Sequence, residues 1–108
     1  MTEREEHEYA AKAAGIEVRW ITNAQSAQQL SKMLWTWWSP KTYRADAFSL
    51  MVACKMEVWR NQDGQAFARY EKKITATYSV KTSNGFDFEA ATRLAIFRVA
   101  VEIGKAMK

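Results

Sequence analysis

The chain has 108 residues, 48% of them hydrophobic and 26% charged, which fits one globular domain (residues 1–108) and excludes a disordered segment. Its net charge is +4, and its one cysteine, Cys54, excludes an intrachain disulfide and fits a reducing cytosol. The start, Met-Thr-Glu-Arg-Glu-Glu-His-Glu, is unlike a signal peptide, and the longest apolar run, Leu94 to Ile103, is broken by Arg98 and Glu102, so no membrane association is expected.

Thr2 followed by Glu5 has capping-box spacing, and Gly15 suits a left-handed stop, which predicts a helix over about residues 3–14. That helix looks exposed, and it carries the only histidine, His7. Ile16, Val18 and Trp20 alternate with Glu17 and Arg19, as in a strand. Residues 24–34 are ambiguous: helix-forming composition, with Ala27, Leu30, Met33 and Leu34 at helical spacing, predicts a helix, while the Gln and Ser content also suits a loop.

Residues 35–40 read Trp-Thr-Trp-Trp-Ser-Pro, which places three of the five tryptophans in four positions. Pro40 ends any preceding helix, because the residue before a proline is pushed out of the helical region. Trp38 reads as a core plug beside that turn. If the run is extended, Trp35 and Trp37 share one face and Thr36 and Trp38 the other, so burying all of them is difficult and one of Trp35 and Trp37 is a candidate for exposure.

A second helix is predicted from about Thr42. Ala47, Leu50, Met51 and Cys54 form its apolar stripe, Phe48 and Val52 lie beside it, and Asp46 near its N-terminus and Lys55 near its C-terminus suit the helix dipole. Three strands follow: Met56 to Arg60, then Ala66 to Tyr70 after the turn Asn61-Gln62-Asp63-Gly64, then Ile74 to Lys81 after the charged tip Glu71-Lys72-Lys73. The last helix runs from about Asp87 to Met107, with Ala91, Leu94, Arg98, Glu102 and Lys105 as its solvent stripe. Ile96, Ala100, Ile103 and Met107 lie opposite, flanked by Phe97, Val99 and Val101, so this helix is expected at the centre of the core. The fold class is therefore α+β, in the order α-β-(α)-α-β-β-β-α, with a small, mainly antiparallel sheet of three to four strands packed by helices.

Two stretches carry a family likeness. Residues 38–50, Trp-Ser-Pro-Lys-Thr-Tyr-Arg-Ala-Asp-Ala-Phe-Ser-Leu, follow the signature W-[NS]-P-x-T-x-x-x-D-A-F-x-L, and residues 89–107 are similar to the closing helix of the same group. Together with residues 10–16, they resemble the α/β/α-sandwich (ABA sandwich) domain of small tailed-phage and prophage proteins. The resemblance implies a phage or prophage origin, a layered α+β fold, a place in the host bacterial cytosol and an extended backbone before Trp38. It implies no catalytic residues and assigns the signature tryptophan to Trp38, leaving Trp35 and Trp37 particular to this chain.

Catalytic material is sparse. With one histidine and one cysteine, neither a metal site nor a Ser-His or Cys-His pair has enough ligands or bases, and the four glycines form no phosphate loop, so no enzyme, metal or cofactor is expected. Cys54 reads as a small core residue, and Asp46 with Arg44 nearby as helix electrostatics. Arg93 lies in the apolar arc of the last helix, either as a structural residue that snorkels or pairs with Glu89, or at the edge of an interface.

Residues 16–85 hold ten bases against five acids, and Arg60, Arg69, Lys72, Lys73 and Lys81 fall on or near the predicted sheet. Helix-strand-strand-strand-helix over residues 42–107 is also the order of a double-stranded-RNA-binding domain. Where such domains place lysines at the last helix, however, this chain has Asp87 and Glu89 with Phe86 and Phe88. The leading expectation is a non-catalytic phage accessory protein that binds a protein or itself, anti-defence among its possible tasks. Its partner-binding candidates are Trp35, Trp37, Arg44, Arg60, Arg69, Lys72, Lys73 and Lys81, and its structural residues are Trp38, Pro40, Asp46 and Arg93. The alternative is a nucleic-acid-binding module.

Overall fold

Thr2 and Glu5 form the capping box that their spacing predicts, and Gly15 takes a left-handed φ of 70°, which bounds helix α1 at Glu3–Ala14. These features come from a computed structural model, which describes residues 1–107. The acidic face of α1 looks outward, but His7 does not. It is buried at 6% exposure, and its ring lies 4.9 Å from that of Phe97 and 5.5 Å from that of Trp20. Its Nδ1 meets the Glu3 carbonyl at 2.7 Å, one turn back. The sequence reading of His7 as exposed is thus corrected, because α1 turns this face onto the core rather than to solvent.

Strands β1 (Val18–Ile21), β2 (Ser26–Ser31) and β3 (Leu34–Trp38) form an antiparallel sheet in that order, with a short 3-10 turn, Thr22–Ala24, between the first two. The helix predicted over residues 24–34 is therefore absent, and the extended backbone implied by the family likeness is present. Trp and Thr favour the pleated surface, and pairing sets Ala27 between Trp20 and Trp38 on the buried face. The β2–β3 turn is Lys32-Met33, both at positive φ (51° and 67°), as a two-residue hairpin turn of type I′ requires. Neither residue is a turn former, so the hairpin has no local sequence mark.

Helix α2 spans Arg44–Ala53, with Ala47 and Leu50 buried, whereas Phe48 and Val52 are exposed. Strands β4 (Glu57–Arg60), β5 (Ala66–Tyr70) and β6 (Ile74–Tyr78) form a second antiparallel sheet. The strand predicted to reach Lys81 stops at Tyr78, and a small ribbon of β7 (Lys81–Thr82) and β8 (Gly85–Phe86) follows. The described residues thus form two three-stranded sheets and a ribbon where one sheet was expected. The α+β class and its antiparallel pairing stand.

Helix α3 (Phe88–Ala106) is the centre of the core, as its wide apolar arc suggests. It packs against α1, α2 and the inner face of the second sheet, and Phe97, Val99, Ala100 and Val101 are all buried. With neighbours on several sides, α3 buries Ala91, which the periodicity had placed in solvent, and Met107 at its end is exposed instead. Arg98, also assigned to the solvent stripe, is half-buried. It donates to the Glu6 carboxylate of α1 and lies 3.4 Å from the Tyr78 hydroxyl of β6.

The α1–α3 approach is set by small residues. Ala10, Ala11 and Ala100 are buried along it, and a Cβ on Gly104 would sit 1.9 Å from the Tyr9 carbonyl oxygen. Gly104→Ala therefore forces the helices apart, and a loss of about 2 kcal/mol is expected in urea unfolding. By contrast, replacing Lys32-Met33 with Asn-Gly relieves two left-handed positions, and a gain of about 1 kcal/mol is expected in the same measurement.

Candidate partner-binding surface

Alternation along the first sheet sends Val18, Trp20, Ala27 and Trp38 to its inner face and Arg19, Gln28, Leu30, Trp35 and Trp37 to its outer face. The tryptophan run divides accordingly. Trp38 is 1% exposed, whereas Trp37 is 48% exposed and Trp35 intermediate. Arg19 donates from Nε and Nη2 to the Gln28 side-chain oxygen at 2.9 and 2.7 Å, which holds its guanidinium 4.3 Å from the centre of the Trp35 ring. Trp35 is thus partly covered, and Trp37 is the more open of the two.

At the hairpin tip beside this face, Met33 is 91% exposed and Leu34 66%. A hollow of about 280 Å³ lies at the other end, lined by Ser26, Trp37, Thr42 and the exposed Tyr43. Two tryptophans and an arginine on one face, with a methionine at the tip beside it, match the residue types enriched at interfaces. Leu30 and Arg19 escaped the sequence reading because the helix predicted for residues 24–34 hid the pairing that brings them onto the face of Trp35 and Trp37, and Met33 because it hid the hairpin tip.

The residues read as structural hold the turn behind β3. Pro40 is fully buried, and the Ser39 backbone N–H donates to the Asp46 carboxylate at 2.9 Å, seven residues ahead. Burial raises the Asp46 pKa above the usual value, against the opposing pull of that N–H. Lys41, in the same turn, reaches Glu3 of α1 at 2.7 Å, and this hydrogen bond holds the Glu3 carboxyl below its ordinary pKa. Arg93 donates from Nε to the Lys41 carbonyl at 3.0 Å. The pairing with Glu89 expected from helical spacing does not form, because Glu89 pairs with Arg44 across the α2–α3 contact.

The basic candidates do not gather on one surface. Arg44 and Arg60 lie on a groove of about 280 Å³ lined by Phe48, Met51, Phe88 and Ile96, with the Arg60 guanidinium 4.9 Å from the Phe88 ring centre. Arg69 is on the outer face of the second sheet, 2.9 Å from Glu57 and 5.1 Å from the centre of the Trp59 ring. Trp59, which the sequence reading passed over, stacks on Phe67 across the β4–β5 pair at 5.2 Å between centroids. Lys72 and Lys73 sit at the β5–β6 tip, where Lys73 lies 3.8 Å from Glu71, and Lys81 is on β7.

No group of three or more His, Cys, Asp or Glu side chains poised to hold a metal gathers among the described residues. Cys54 is buried, and burial pushes its thiol pKa up to about 11. Among the described residues, no helix is long and apolar enough to cross a membrane. Comparison with known proteins found no matching family model, no matching curated protein and no matching solved structure. The likeness to the phage family therefore rests on residues 10–16, 38–50 and 89–107 alone.

Adjacent tryptophans on opposite faces give a direct contrast. Trp38→Ala should cost about 3–5 kcal/mol of stability in urea unfolding, as a large side chain lost from the core. Trp37→Ser should cost about 1 kcal/mol or less.

Proposed function

We propose that this chain is a non-catalytic protein-binding module whose docking surface is the outer face of the first sheet. The half-exposed Trp37, next to the partly covered Trp35 on the outer face and farther along β3 from the exposed Met33 at the hairpin tip, carries this reading. A side chain of that size gains little stability where it stands and gains much more when a partner covers it. The family likeness adds a phage or prophage setting, in which a small accessory protein acting on a host or defence component is one such binder.

One observation favours a second reading, a nucleic-acid-binding module. The outer face of the second sheet presents the Trp59–Phe67 stack beside Arg69, with Lys72 and Lys73 at its tip. Aromatic rings with neighbouring cations are how bases and phosphates are held without sequence readout. Against it, Arg69 is already paired with Glu57, and Asp87 and Glu89 open α3.

One experiment separates the two. A photoreactive residue is placed at position 37 of the folded protein, which is then irradiated in bacterial lysate with and without nuclease. The expected outcome is a discrete protein adduct that survives nuclease and is lost when Trp35→Ser is added with thermal stability unchanged. An adduct unaffected by Trp35→Ser, or one lost with nuclease, counts against the docking face, and a nuclease-sensitive adduct formed from position 59 in the same experiment supports the second reading.

A further inference from the structure

Strand β3 is bonded to β2 on one side only, so its other edge is free among the described residues. The hairpin turn determines which backbone groups point that way. A two-residue turn makes Ser31 and Leu34 a hydrogen-bonded pair, and bonded pairs then recur at every second position, Gln29 with Thr36 and Ala27 with Trp38. Leu34, Thr36 and Trp38 therefore direct their N–H and C=O groups to β2. Trp35 and Trp37 direct theirs to the free edge.

The other strands that end a sheet are guarded. β1 carries Arg19, β4 carries Glu57 and Arg60, and β6 shows threonines to solvent between Lys73 and Lys81. β3, Leu-Trp-Thr-Trp-Trp, has no charge, no proline and no bulge over its paired length. Such an edge is a template for another strand.

We infer that the occupant of this edge is β3 of a second copy, paired antiparallel about a two-fold axis at Thr36. The strand is self-complementary in this register. Trp35 falls opposite the second copy's Trp37, and Trp37 opposite the second copy's Trp35. These are the residues whose backbone groups face outward, so both pairs close with two hydrogen bonds each. The same register lines up four tryptophan rings on the outer face of a continuous six-stranded sheet, where cross-strand aromatic pairs add stability.

Each tryptophan has roughly 150–250 Å² to bury. Two per copy, one already half-covered by Arg19, place the contact at the low end of specific interfaces, so the dimer forms and dissociates with concentration. The inference rests on the protein-binding reading of this face and names its partner.

The test is sedimentation equilibrium over a concentration series, paired with residue-resolved amide hydrogen exchange. The mass should rise from 12.4 kDa toward twice that value. Over the same range the Trp35 and Trp37 amides should slow, while the Thr36 amide, already bonded within the sheet, should not change. Trp37→Lys, which keeps the strand and adds an edge charge, should hold the protein monomeric, and Thr36→Lys repeats the test should that variant fold poorly. A chain that stays monomeric up to its solubility limit overturns the inference. So does a dimer in which the Trp35 and Trp37 amides stay fast, since that places the contact elsewhere. The broader reading fails separately, when position 37 gives no adduct sensitive to Trp35.

Discussion

The close packing of α1 against α3 is the contact on which the rest of the molecule depends. Gly104 has no room for a methyl group against the Tyr9 backbone, and alanines along the contact keep the two helices near each other. Polar ties fix the pair at several levels. Glu6 meets Arg98 near the middle, and the Lys12 ammonium donates to the Met107 carbonyl at 3.1 Å near the end. Because α1 carries the first sheet and α3 the second, this one contact joins both halves of the chain. Arg98 extends it further, reaching the Tyr78 hydroxyl on β6 as well.

The turn after β3 depends on the same helix pair. Trp38 plugs the first sheet onto His7, 6.0 Å between ring centres, and His7 in turn meets Phe97 of α3. Ser39-Pro40 then turns under the Asp46 carboxylate, while Lys41 contributes its ammonium to Glu3 and its carbonyl to Arg93. Both α1 and α3 therefore hold this short segment, which explains why a signature of Trp, Ser-Pro and Asp at fixed spacing has structural work to do. It also explains the outer face. With Trp38 pinned inward, pleating obliges Trp37 to point out.

Much of the architecture was legible locally. The α1 boundaries followed from Thr2, Glu5 and Gly15, and the core role of α3 from the width of its apolar arc. The 24–34 segment was not legible, because spacing of Ala27, Leu30, Met33 and Leu34 that suits a helix is also met by a hairpin whose turn lacks glycine and asparagine. Of the candidate surface, Trp35 and Trp37 were found from the run itself. Arg19, Leu30 and the tip residues needed the register, and Trp59 needed its stack on Phe67, since strand pairing joins residues that no sequence spacing connects.

By itself, the sequence determined the α+β class, the long central helix and the opposite facing of Trp37 and Trp38 in an extended run. These follow from composition and from the 3.6- and 2-residue periods, which act over a few neighbours. Only the tertiary structure decided that His7 is buried, that Arg93 serves a carbonyl rather than Glu89, that the strands divide into two sheets, and that the basic residues lie on separate features. Each of these depends on which elements pack together, and that choice is made by long-range burial and strand register, which local periodicity does not encode.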